Sequence, residues 1–136
     1  MGRLGDTTID AVMDLLFGAQ AYTPAASYDI ALSTTQPAND GTGVTEPAGG
    51  GYARVQVTND LTHWPAASGR QKSNGVAIAF PTATGDWGTI GWFAIYDHGT
   101  STFRGWGALA VARHVTSTSA PATFDIGALV INGPGS

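Results

Sequence analysis

Beyond Pro24, apolar residues come only in short runs, cut about every 8–12 residues by glycine, proline, asparagine or aspartate. The runs fall at 27–34, 51–58, 76–80, 89–97, 103–111, near 113–116, at 122–126 and at 127–132. In the first, Tyr28, Ile30 and Leu32 alternate onto one side, as a half-buried strand requires. Residues 89–97 are nearly all apolar, which predicts a strand buried on both faces. The last two runs read as two strands or as one strand bent at Gly127. Asn74-Gly75 reads as a turn, and Pro81 stops the run before it. No helical pattern lies between these runs, so parallel βαβ units are not expected. The expectation is a mainly β fold, an antiparallel β-sandwich of seven to eight strands. The stretches 36–50 and 59–73 read as loops.

Ahead of Pro24 the period changes. Ile9, Val12, Met13, Leu16 and Phe17 recur at helical spacing within 7–17 and make one apolar face. Asp6 or Thr7 is placed to cap the start, Asp10 to lie in the first turn, and Gly18 to end it. Eleven residues are marginal for a helix alone in water, so this one must dock on its own domain or on another subunit. The chain therefore divides into an N-terminal arm, 1–24, carrying the short α-helix, and a β-sandwich domain, 25–136.

Composition narrows the function. With 136 residues the chain is long enough for one domain with its own core. Zero cysteines exclude disulfide scaffolds, thiolate nucleophiles and cysteine metal sites. A net charge of −4 argues against nucleic acid as a partner. No run approaches the roughly 20 apolar residues of a membrane helix. The N-terminus lacks the pattern of a secretory signal, so folding in a cytoplasm is expected. Only 12% of residues are charged, which suits a surface that ends up packed against neighbours.

The search for chemistry returns little. There is no nucleophile elbow, phosphate loop, zinc-protease motif or dinucleotide fingerprint. His63, His98 and His114 lie far apart, and no cofactor or metal is expected. Asp97 and His98 are strand neighbours whose side chains diverge. Asp86, before Trp87-Gly88, reads as a turn carboxylate bonding nearby backbone. Arg54 and Glu46 are placed to pair and hold the Tyr52 region. Among the tryptophans, Trp92 is expected in the core, while Trp106 fits either core or contact. Trp64, in a polar loop, is the candidate for an exposed contact, with a host surface glycan as one ligand. The candidate partner-contact residues are thus Ile9, Val12, Met13, Leu16, Phe17 and Trp64.

Several pieces in order resemble a group of small virion proteins of tailed bacteriophages, labelled tail-fibre, minor tail or head-decoration proteins. They are the strand from Tyr28 to Thr34, Gly43-Val44-Thr45-Glu46, Gly51-Tyr52-Ala53-Arg54, Ala79-Phe80-Pro81 and Asp86-Trp87-Gly88-Thr89. Phe93-Ala94-Ile95-Tyr96-Asp97, Gly107-Ala108-Leu109 and the run from Phe124 to Ile131 follow. Together they span roughly residues 27–132, departing at 59–73. The resemblance implies a virion structural protein without an active site, assembled in the host cytoplasm. It implies self-association, as a homotrimer, and contact with the phage major capsid protein or other virion proteins. A compact domain without a coiled-coil or repeated shaft favours a capsid decoration (cement) protein, held to the shell by the 1–24 arm or the 36–50 loop. The alternative is a tail-fibre or receptor-binding tail component.

Overall fold

The computed structural model describes residues 2–133. Along the chain run β1 (Gly2–Leu4), α1 (Asp6–Leu16), β2 (Ser27–Ser33), β3 (Val55–Thr58) and β4 (Gln71–Ser73). Then come β5 (Ile78–Ala79), β6 (Gly88–Asp97), β7 (Phe103–Val115), β8 (Thr123–Phe124) and β9 (Val130–Asn132). Seven strands form a curled sheet in the order β3-β2-β6-β7-β1-β9-β4, and β5 pairs with β8 in a second, two-stranded sheet. The fold is mainly β and sandwich-like, with one short N-terminal helix, as the strand spacing predicts.

The core lies between the sheet and the β5–β8 ribbon. Ile30 and Leu32 of β2, Val57 of β3 and Ile90, Phe93 and Ile95 of β6 face Ile78, Phe80 and Phe124. The Phe93 ring meets Phe124 edge-on at 5.6 Å, a favoured aromatic geometry. On the sheet's other face Ala31, Ala94 and Tyr96 form a smaller cluster under Val44 and Phe103. The 36–46 segment packs over this face, and the Thr45 N–H donates to Ser33 Oγ at 2.9 Å. Residues 93–96 are therefore buried on both faces, whereas Thr89 is exposed and Trp92 half-buried, so the run expected over 89–97 is covered on both faces only in its second half.

Two features depart from the sequence expectation. Gly2–Leu4, read as part of the arm, is a strand inside the main sheet, antiparallel to β7 and parallel to β9. Its position depends on space. Gly2 stands opposite Gly107, and a Cβ on Gly107 would lie 2.5 Å from the Gly2 Cα and 2.6 Å from the Phe93 ring. Three residues are too few to show a period, so this strand leaves no pattern in the sequence.

The second concerns Asn74, read as half of a turn. It is instead a buried anchor. Its amide donates to the carbonyls of Val76 at 2.9 Å and Asp125 at 3.0 Å, and its Oδ1 accepts the Leu129 N–H at 2.9 Å. These bonds tie β4 to the 125–129 turn, which separates β8 from β9 and where Gly127 takes φ 80°. The last two runs are thus two strands.

Candidate partner interface

Helix α1 begins at Gly5, which takes the N-cap position without a side-chain cap, so neither Asp6 nor Thr7 serves as expected. The 36–46 segment and strand β7 supply the acceptors instead. The Asp6 N–H donates to the Asn39 carbonyl at 2.9 Å and the Gly5 N–H to the Arg104 carbonyl at 2.7 Å. Asp6 rather than Asp10 is the acid of the first turn, where the helix dipole favours it. At the other end Phe17 is the C-cap residue, its N–H bonded to the Met13 carbonyl. The left-handed residue there is Ala19, φ 50°, rather than Gly18.

The first turn alone is fixed to the domain. Thr8 is the buried residue of α1 and Ile9 is half-buried. Val12, Met13, Leu16 and Phe17 are exposed, Leu16 by 67% and Phe17 by 83%. Leu15, which lies outside the predicted face, is exposed beside them. From Val12 onward the predicted apolar face is therefore uncovered.

Trp64 departs from expectation. It is 7% exposed, packed into the main core cluster behind a turn closed by Asp60. The Asp60 Oδ1 accepts the Thr62 and His63 N–H groups, at 3.1 and 2.9 Å. A short polar loop around a tryptophan looks exposed in sequence, but the turn folds Trp64 inward and leaves Leu61 outside, 71% exposed. Trp92 is only half-buried, because it points to the opposite face from Phe93 near a register slip between β6 and β7. Trp106 is buried, with its indole N–H donating to Asn39 Oδ1 at 3.0 Å.

Trp64 helps line a cavity of about 410 Å³ between the first turn of α1, the end of β1 and strands β6, β7 and β9. Leu4, Thr8, Tyr22, Tyr28, Leu61, Ile95 and Ile131 share its wall with Lys72 and Arg104. Arg104 binds Asp97 through two hydrogen bonds of 2.9 and 2.6 Å and lies 5.4 Å from the Tyr22 ring. Sequence reasoning missed Thr8, Tyr22 and Leu61, whose convergence depends on a chain reversal that no local pattern encodes.

The titratable side chains are mostly tied to one another. Each histidine meets an aspartate: His63 with Asp60 at 2.7 Å, His98 with Asp29 and His114 with Asp86, both at 2.8 Å. Asp97 and His98 diverge to different partners. Asp86 also accepts the Gly88 N–H at 2.7 Å, the turn role expected for it. The predicted Glu46–Arg54 pair is present and bidentate, at 2.9 and 2.8 Å, and Tyr52 donates to Glu46 at 2.7 Å. Burial alone would raise the Glu46 carboxyl; the bonds from Arg54 and Tyr52 outweigh it and hold the group below its usual range. Among the described residues no cluster of three metal-ligating side chains occurs, and no helix is long and apolar enough to cross a membrane.

The model of one protein family, described as podophage GP4 fiber I protein gp80, matches residues 3–132, from β1 through β9. The chain belongs to this family. No curated protein matches it at a significant level. As a member of the fibre I family the protein is a bacteriophage structural protein and a component of the virion. The match includes Arg3 and Leu4 of β1, all of α1 and the 59–73 segment, three regions outside the resemblance seen in sequence.

Proposed function

We propose that the protein is a subunit of the tail-fibre apparatus of a short-tailed bacteriophage, with a structural rather than a catalytic role. The observation that carries this reading is the family match over 3–132, since the family takes its name from a fibre protein. It favours the fibre alternative over capsid decoration. The uncovered apolar face of α1 supports an assembled state, because exposed apolar area of this kind marks a protein contact. The partners are copies of the same chain, in a homotrimer by analogy with the resembling virion proteins, and other tail proteins. Burial of Trp64 removes the aromatic platform foreseen for a host glycan, so a direct sugar contact has no support from that residue.

The test is quantitative mass spectrometry on purified virions with heads and tails separated. A few to a few dozen copies in the tail fraction supports the fibre reading. A copy number comparable to the major capsid protein, found with heads, restores decoration and overturns it.

A further inference from the structure

We propose that the end of α1 in one copy inserts Phe17 into the cavity beside α1 of a second copy, joining subunits head to tail. This contact is read from the chain itself and holds for a tail or a head part alike. The hole is apolar, walled by Leu4, Tyr28, Ile95 and Ile131, and large enough for an aromatic side chain with a leucine beside it. Its wall contains two polar groups left without a partner among the described residues, Thr8 Oγ1 and Trp64 Nε1. Both residues are only 7% exposed, and among the described residues neither group has an acceptor, which costs free energy in the isolated chain.

The end of α1 offers what the hole lacks. Phe17 and Leu16 are its most exposed apolar side chains. The Met13 and Asp14 carbonyls are taken by the Phe17 and Gln20 N–H groups, and among the described residues no backbone N–H outside the helix bonds those of Leu15 and Leu16. Charge agrees as well. α1 carries Asp6, Asp10 and Asp14, no lysine or arginine, and the negative end of its dipole at Phe17. At the hole, Asp97 neutralises Arg104, while Asp60 bonds His63 and keeps its own negative charge where that histidine is neutral. Lys72 bonds the carbonyls of Trp64 and Pro65, and among the described residues its charge meets no carboxylate.

The knob cannot fill its own hole. Thr8 lines the cavity, and nine residues of helix rise carry Phe17 about 13 Å further along the axis. Each chain thus presents one knob and one hole on different surfaces, a heterologous arrangement that closes into a ring or runs on as a filament.

Sedimentation velocity on the full chain tests this with two variants. Phe17→Ser removes the knob; Thr8→Phe fills the hole from within, and Leu61→Asp at the mouth replaces it if Thr8→Phe misfolds. The wild type is expected to self-associate, and each variant to weaken association at least tenfold. Mixing the two should restore a one-to-one dimer and no larger species, because one intact knob then meets one intact hole. The Trp64 indole N–H resonance should shift on mixing. A monomeric wild type, full association of both hole variants, or a mixture that stays monomeric would overturn the proposal. Virion fractionation is a separate measurement, so the fibre reading and this contact fail independently.

Discussion

The β2–β6–β7 core and helix α1 are built from equally apolar sequence, yet they solve burial in opposite ways. Around Phe93 every large side chain is covered from within the chain: Ile30, Leu32 and Phe124 close one side, and the glycine pair Gly2 and Gly107 lets the ring sit flush under β1. In α1 only the first turn is anchored, and five large apolar side chains from Val12 to Phe17 face outward. A helix of eleven residues gains little from its own hydrogen bonds, so its stability must come from packing. The core is therefore complete in one chain, and the apolar face of α1 is left uncovered by it.

The comparison can be broken most sharply at Phe93. Phe93→Ala should cost about 3–5 kcal/mol in urea unfolding, because it removes an aromatic from a site that cannot collapse. Asn74→Ala follows, at about 3 kcal/mol, since it strands the Leu129 N–H and two carbonyls in the interior. Gly107→Ala should cost about 1–3 kcal/mol by forcing β1 off the sheet. Its mark is lost hydrogen-exchange protection at Gly2–Leu4. Protection as in the wild type would show that β1 tolerates a methyl group and that the glycine pair is not what seats it.

Arg54→Ala is expected to cost about 1–2 kcal/mol, as it breaks a two-bond pair and a cation held 4.0 Å from the Tyr96 ring. Glu46 makes the effect pH-dependent. Its folded carboxyl lies below the ordinary value of 4.5, so the folded state binds the proton less readily than the unfolded chain. The contribution is complete above that value and is lost as pH falls through the lowered folded value. Melting curves between neutral and acid pH should show the wild-type advantage over Arg54→Ala shrinking in that window. A constant difference would mean that Arg54 acts by packing alone.

What was legible in sequence follows the range of the interactions. Strands β2, β6 and β7 showed because alternation and unbroken apolar runs are local. The Glu46–Arg54 pair showed because both residues flank one loop. β1, β4 and the burial of Trp64 did not, because each depends on contacts from the far end of the chain. β1 sits between β7 and β9 only after residues 103–132 have returned to meet it. The apolar face of α1 was legible, but its lack of cover was not, since a helical period reports that a face needs burying and is silent on where the cover comes from. The cavity combines both difficulties, with Thr8 and Trp64 brought together from positions 56 residues apart.

The smallest expected effect sharpens the comparison most. At concentrations dilute enough for a monomer, Phe17→Ser should change unfolding free energy by no more than about 0.5 kcal/mol, since an 83% exposed side chain has little burial to lose. At high concentration the same substitution should lower the melting temperature, because the wild type then gains stability from association and the variant does not. A dependence on concentration in the wild type alone would place the stabilising contact between chains. An equal loss at both concentrations would mean that α1 folds back on its own domain in solution, and the contrast between a self-sufficient core and an unfinished helix would fail.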